Sequence, residues 1–252
     1  MAERPSAVVL TTGGINCEEE TKYAFNKAGA EAEIIPISQL IFKERKLSDF
    51  HIIIIPGGFS KGDNIAAGRI LGQELRMYFS DELMEHVYQK KRIVVAICNG
   101  FQAILQTNLP FGEITSLSKT KASLEKNNSG RFESRWIYVK KDDNSEPFIL
   151  PIAHGEGRFV TDPETLKELE KNNRIILRYC TVDGDVTMDY PTNPNGSMNA
   201  IAGIRDITGR VLLYMPHPER FVERYNHPEW SKLPKNIKID GLEFIKDIVK
   251  LA

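Results

Sequence analysis

The sequence has few cysteines, no long apolar run and no excess of charge of either sign. Its cysteines, Cys17, Cys98 and Cys180, are too few and too widely spaced for a disulfide framework or a paired-cysteine zinc site. With 33 basic and 34 acidic side chains, the chain has no basic stripe of the kind that binds nucleic acid. No apolar run approaches the ~20 residues that cross a bilayer. We therefore expect no nucleic acid and no membrane as partners.

Signals for export, nucleotide binding and metal binding are also missing. The first apolar stretch ends at Thr11 and is too short for a signal peptide, so we expect a cytoplasmic protein. The glycine-rich turn at 57–62 lacks the Lys-Ser/Thr pair of a phosphate loop, and no GxGxxG follows a predicted strand. No group of residues has metal-ligand spacing. The sequence predicts no metal site and no cofactor in this chain.

What the sequence does contain is a globular composition, with 41% hydrophobic and 27% charged residues. Unbroken apolar runs such as IIII at 52–55 and IVVAI at 93–97 are typical of strands buried on both faces. They alternate with helix-like segments, which predicts an α/β fold: a three-layer sandwich, flavodoxin-like, with a mostly parallel central sheet. The predicted strands are 7–12, 33–36, 52–55, 93–97, 175–179, 200–204 and 211–215, and the predicted helices are 18–28, 71–90, 101–106 and 241–250.

Residues 1–252 are predicted to form one domain, with a core at about 7–221. The region from about 107 to 151 mixes polar residues with strand-like pieces such as 135–140, and we expect antiparallel additions or long loops there. Residues 185–199 contain several breakers and are predicted to be a loop. A polar extension leads to the last predicted helix, at about 241–250.

Cys98 is the leading candidate nucleophile. It lies where a buried strand meets Asn99-Gly100, and a nucleophile at such a strand-to-helix turn is lifted out of the sheet. The amino end of a helix also favours the thiolate. The alternative is that Cys98 is a small buried hydrophobic residue, and this local pattern alone leaves the two interpretations evenly matched. Cys17 and Cys180 rank lower, because Cys17 lacks the elbow glycine and Cys180 has acidic neighbours.

A thiol nucleophile needs a proton carrier and a group that orients it. His217 follows the predicted strand at 211–215, at the edge of the sheet where catalytic groups are expected. In an extended segment residues two apart face the same way, so Glu219 can approach the imidazole. On its own, this pair is more typical of an exposed loop with a solvated histidine and glutamate. His154, among glycines, either lines a ligand pocket or caps a loop.

The glycine turn at 56–60 offers closely spaced amide donors after a buried strand. In a thiol acyl-transfer enzyme, a backbone N–H of this turn and that of Asn99 would hold the oxyanion of a tetrahedral intermediate. An ordinary glycine turn is the alternative interpretation.

Taken together, these motifs resemble those of class I (triad) glutamine amidotransferases. Within that class they are similar to the family of glutaminase components of phosphoribosylformylglycinamidine synthase, a purine-biosynthetic enzyme. Lys61 and Ala66 depart from the pattern of that family. The resemblance spans most of the chain, in PGGFS at 56–60, GD at 62–63, CNGFQ at 98–102, NSGRFE at 128–133, AHGEGRF at 153–159, YP at 190–191, NPNGS at 193–197, IAGI at 201–204 and MPHPER at 215–220.

The resemblance implies a mechanism. Cys98 would attack the carboxamide of glutamine, and His217, oriented by Glu219, would deliver a proton to the departing ammonia. The amides of Gly58 and Asn99 would form the oxyanion hole. It also implies four substrate-binding residues, namely Gln102, Arg131, Phe132 and His154.

The resemblance further implies partners. The ammonia would pass to a synthetase subunit that holds ATP and magnesium, with a small accessory subunit as a second candidate partner. Two alternatives stay open: a glutaminase that serves another acceptor, and a non-catalytic regulatory subunit on the same fold. A third, a cysteine hydrolase or thiol stress protein on a related sheet, fails to explain Gln102 or the His-Pro-Glu triplet at 217–219.

Overall fold

The fold is built on a nine-stranded mixed sheet, with a second sheet of two strands. The computed structural model describes residues 4–114, 120–142 and 144–252. The strands are β1 (Ser6–Thr11), β2 (Glu31–Pro36), β3 (Ile52–Ile55), β4 (Ile93–Ile97), β5 (Ala122–Glu125), β6 (Glu133–Lys140), β7 (Phe148–His154), β8 (Arg158–Thr161), β9 (Ile175–Cys180), β10 (Ile201–Arg205) and β11 (Val211–Tyr214). The helices are α1 (Glu18–Lys27), α2 (Ile37–Ile41), α3 (Arg69–Met84), α4 (Asn99–Leu105), α5 (Pro163–Lys171) and α6 (Asp240–Val249).

One half of the large sheet is parallel, in the order β2-β1-β3-β4-β11. The chain moves outward from β1 to β2 through α1, and in the opposite direction from β3 to β4 through α3. Because parallel crossovers are right-handed, these two helices lie on opposite faces of the sheet. α4 packs against α3, and α6 packs against α1. Every residue of β3, β4 and β11 is buried, as their unbroken apolar runs predict.

The other half of the sheet is antiparallel, in the order β11-β10-β9-β6-β7. The predicted α/β fold with antiparallel additions is confirmed. The antiparallel part is larger than the sequence indicates, because β9 and β10 belong to it. The helices α2 and α5 and the strands β5, β7 and β8 were not predicted individually. Among the described residues, no helix has the length and apolarity needed to cross a membrane.

Candidate active site

Cys98 occupies a strained elbow between β4 and α4. Its backbone has φ 52° and ψ -105°, a region that non-glycine residues rarely adopt. A Cβ at Gly100 would lie 2.0 Å from the carbonyl oxygen of Ile55, so the tight turn leaves room only for glycine. The side chain of Cys98 is nearly buried, and its thiol donates to the carbonyl of Ala153 at 3.6 Å. The elbow therefore presents a sulfur at the carboxyl end of the sheet.

His217 reaches the same edge of the sheet from the neighbouring strand. β11 lies next to β4, with Tyr214 in register with Ile97, so residues that follow the two strands are close in space. The amide of His217 donates to the carbonyl of Pro151 at 2.9 Å, which anchors the turn to β7. The sequence argument assumed an extended segment here and was wrong on that point. Pro218–Arg220 form a 3-10 turn, and the imidazole meets Glu219 across it.

The histidine and the glutamate form a buried pair. His217 Nδ1 lies 2.5 Å from Glu219 Oε1, and both residues are at most 2% exposed. Burial on its own lowers the pKa of the imidazole, but the charge of Glu219 and then that of Cys98 outweigh burial and raise it well above its usual value. His217 Nε2 has no hydrogen-bond partner among the described residues. The imidazole is thus oriented at one nitrogen and open at the other.

The amides of Gly58 and Asn99 lie where an oxyanion hole is expected. Gly58 lines the cavity of Cys98, and Asn99 is the first residue of α4, where backbone N–H groups have no partner within the helix. The side chain of Asn99 joins the two segments. Its oxygen accepts from the amide of Ser60 at 3.0 Å, and its nitrogen donates to Asp63 at 3.2 Å and to Gln102 at 2.9 Å. Their role as oxyanion donors stays a prediction.

A cavity of about 140 Å³ opens in front of Cys98. Three of the four residues predicted to bind substrate line it, namely Gln102, Phe132 and His154. Gln102 is largely engaged with the protein, since its oxygen accepts from Asn99 and its nitrogen donates to the carbonyl of Glu156 at 2.7 Å. The fourth, Arg131, lines a separate cavity of about 520 Å³.

Cys17 lies beside His217 and Glu219. The sequence analysis did not predict this proximity. The Cys17 sulfur accepts from Arg220 Nη2 at 3.1 Å, and one ligand atom each of Cys17, His217 and Glu219 lie within 4.8 Å of one another. The pKa of the Cys17 thiol is raised, mainly by burial. The positive charge of the Arg220 guanidinium, which contacts the Cys17 sulfur, disfavours a metal cation between Cys17, His217 and Glu219. Cys17 is absent from the cavity in front of Cys98. Burial also raises the pKa of Cys180, to about 11.

This fold, with a cysteine elbow next to a buried histidine–glutamate pair, is that of a class I glutamine amidotransferase. The family model described as the CobB/CobQ-like glutamine amidotransferase domain matches residues 4–248. The chain belongs to that family.

Several of its relatives are subunits of phosphoribosylformylglycinamidine synthase. The chain is 39% identical to the phosphoribosylformylglycinamidine synthase subunit PurQ of Methanococcus maripaludis, over 98% of this chain and 94% of that protein. It is 38% identical to the PurQ subunit of Dehalococcoides mccartyi, over 97% and 96% of the two chains. The resemblance found in the sequence is confirmed.

Solved structures agree with the family assignment. A chain in the structure of PurLQS from Thermotoga maritima is 26% identical, with a TM-score of 0.71, over 99% of this chain and all of that chain. Another glutamine amidotransferase from Thermotoga maritima, 13% identical with a TM-score of 0.50, shares the fold.

Proposed function

We propose that this chain is the glutaminase subunit of a phosphoribosylformylglycinamidine synthase. The observation that carries the proposal is the buried His217–Glu219 pair, held beside the elbow cysteine Cys98 in a chain whose relatives are PurQ subunits. In this role it hydrolyses glutamine to glutamate and ammonia in purine biosynthesis.

The side chains support a two-stage reaction. The sulfur of Cys98 attacks the carboxamide carbon of glutamine, and the carbonyl oxygen becomes an oxyanion that accepts from the amides of Gly58 and Asn99. His217 then gives its Nε2 proton to the nitrogen, the C–N bond breaks, and ammonia and a glutamyl thioester form. Water, activated by the now neutral His217, adds to the thioester and releases glutamate and the thiolate. Glu219 orients the ring throughout and stabilises the imidazolium whenever His217 is protonated.

The ammonia needs an acceptor. We propose that a synthetase subunit docks on this chain and uses ATP and magnesium to make the amidine, while this chain itself holds no cofactor. A small accessory subunit, as the name PurLQS suggests, is the second proposed partner. We place the reaction in the cytoplasm, where reduced thiols persist, because the reaction needs a free Cys98.

The test measures glutamate release from glutamine by the purified chain and by its Cys98→Ala variant, with and without the synthetase loaded with formylglycinamide ribonucleotide and ATP. We expect turnover that requires Cys98 and rises sharply with the loaded synthetase. Turnover that requires Cys98 but ignores this synthetase points to another ammonia acceptor. Absence of turnover under every condition refutes the glutaminase assignment.

A further inference from the structure

His154 is a buried histidine in the catalytic cavity that the triad mechanism does not use. It is the last residue of β7, is only 2% exposed, and lines the same cavity as Cys98. Gly155 and Glu156, which follow it in the HGEG segment, line the same cavity, and the carbonyl of Glu156 accepts a hydrogen bond from Gln102. A polar ring at this depth needs hydrogen-bond partners or a ligand.

One edge of the His154 ring is fixed by Asn127. The amide nitrogen of Asn127 donates to the carbonyls of Arg131 and His154, each at 2.8 Å, and its oxygen accepts from the amide of Gly157 at 3.0 Å. These contacts leave only one orientation of the Asn127 amide. His154 Nδ1 lies 3.2 Å from the Asn127 oxygen, so Nδ1 carries the proton.

The opposite nitrogen of His154 is therefore an unprotonated acceptor with no partner. Nε2 is buried and has no hydrogen-bond partner among the described residues. Burial first, and then the charge of His217, lower the pKa of His154 to about 3, so the ring stays neutral at working pH. A Cβ at Gly157 would lie 2.5 Å from the Nδ1 and Cε1 atoms of the ring, and glycine at this position lets the backbone close against that edge.

We propose that His154 Nε2 accepts a hydrogen bond from the nitrogen of the glutamine side chain, and from ammonia once the C–N bond breaks. The carboxamide has two N–H donors, whereas the carboxylate of the product glutamate has none. A lone pair at this place favours the amide substrate and repels the acid product. The inference rests on the proposed glutaminase activity and assigns a specificity-determining residue to it.

The hydrogen bond to His154 does not change which groups donate and accept protons in the reaction. His217 still supplies the proton that converts the leaving nitrogen into ammonia, and His154 neither gains nor loses one. Because His154 stays neutral, it can accept a hydrogen bond from ammonia without protonating it. This matters because ammonium has no lone pair and could not attack the acceptor. Asn127 acts as a positioning residue, since it sets the tautomer of His154.

The test compares two substrates that differ in the leaving group. Glutamine releases ammonia, and the γ-methyl ester of glutamate releases methanol. The ester oxygen of the bound substrate carries no hydrogen, so it cannot donate a hydrogen bond to His154. kcat/KM is measured for both in the complex with the synthetase, for wild type, His154→Ala and His154→Phe. The second variant retains a ring of similar size, in case the first does not fold. We expect glutamine hydrolysis to fall about ten-fold more than ester hydrolysis.

The matched control is His86→Ala. His86 is equally buried and its pKa is also lowered, but its Nε2 lies 3.2 Å from the carbonyl of Ile93, and it does not line the cavity. This variant should leave the amide-to-ester ratio unchanged. An equal loss toward both substrates in the His154 variants, including complete loss of both, overturns the proposal. If wild-type turnover does not depend on Cys98, the proposed function has failed instead.

Discussion

At the residue scale, the reactivity of the site depends on the carboxylate of Glu219, which is buried away from water. Glu219 is 2% exposed, and one of its oxygens has no partner among the described residues, so its main interaction is with His217. A buried carboxylate of this kind is costly unless a positive charge is close to it. The imidazolium that forms when Cys98 is a thiolate provides that charge. Nucleophile and orienting acid therefore stabilise the same protonated ring.

Replacing Glu219 with Gln tests this coupling. The amide keeps the shape but not the charge, so the pKa of His217 should fall and kcat should drop by about two to four orders of magnitude. The alkaline limb of the kcat profile depends on protonated His217 and should move to lower pH. Both are measured by steady-state kinetics across pH, with Glu223→Gln, in a surface pair with Lys27, as the control. An unchanged alkaline limb would contradict the assigned role.

Sequence analysis identified candidate residues whose neighbours in the sequence form a recognisable pattern. Cys98 follows an apolar run and lies two residues before Gly100, and His217 follows a second run, so their positions marked both as candidates. Their roles were then assigned by the resemblance to a known family. Cys17 was named only as a lower-ranked nucleophile and Asn127 was not singled out, because the contacts of both residues involve segments distant in the chain. Cys17 meets Arg220, which is 203 residues away, and no periodicity in one sequence encodes that distance.

At the scale of elements, the helix α6 supports the turn that carries the triad. A Cβ at Gly241 would lie 2.2 Å from the carbonyl oxygen of Pro218 and 2.4 Å from that of Phe221. The amide of Leu242 donates to the same Phe221 carbonyl at 3.1 Å. The helix start thus presses directly on the turn that presents His217 and Glu219.

Gly241→Ala should displace α6 from this turn. The added methyl group has no space, so we expect a loss of a few kcal/mol in the free energy of unfolding, as for other overpacked sites. Because the turn positions the triad and not the substrate, kcat should fall more than KM rises. Urea unfolding and glutaminase kinetics measure the two effects. Lys250→Ala, exposed at the end of the same helix, is the control and should change neither.

The antiparallel half of the sheet shows which signal the sequence reasoning missed. The buried side chain of Asp206 accepts from the amides of Thr208, Arg210 and Val211, and this closes the tight turn between β10 and β11. A turn this short can join only antiparallel strands. The Asp-Ile-Thr-Gly-Arg segment marks such a turn in the sequence. The apolar runs on either side of this turn are equally compatible with parallel strands. Hydrophobic periodicity therefore could not show that β10 and β11 are antiparallel.

At the scale of the whole molecule, buried histidines connect stability to pH. Burial lowers the pKa of His86 to about 4, with its contact to the carbonyl of Ile93 acting in the opposite direction. In the unfolded chain a histidine has a pKa of about 6.5. Between these two values, the unfolded state binds a proton that the folded state does not. The free energy of unfolding contributed by His86 is therefore intact above pH 6.5 and is lost as pH falls toward 4.

His86→Gln should flatten that dependence. Glutamine does not titrate, and its amide can donate to the Ile93 carbonyl in place of the ring. Between pH 7 and pH 5 the wild type should lose about 2 kcal/mol more unfolding free energy than the variant. Urea unfolding at both pH values measures the difference. Between pH 7 and pH 8 the gap should stay constant, and an equal loss in both proteins on acidification would refute the role of His86.

The strained elbow also has an evolutionary consequence. Any side chain at position 98 is held at φ 52°, a conformation that costs about 1–2 kcal/mol and that glycine adopts freely. Selection for heat resistance alone would favour glycine there, and the enzyme would gain robustness while losing its nucleophile. Cysteine persists at this position only while its chemistry is under selection. The most stable version of this fold is therefore not the version that works.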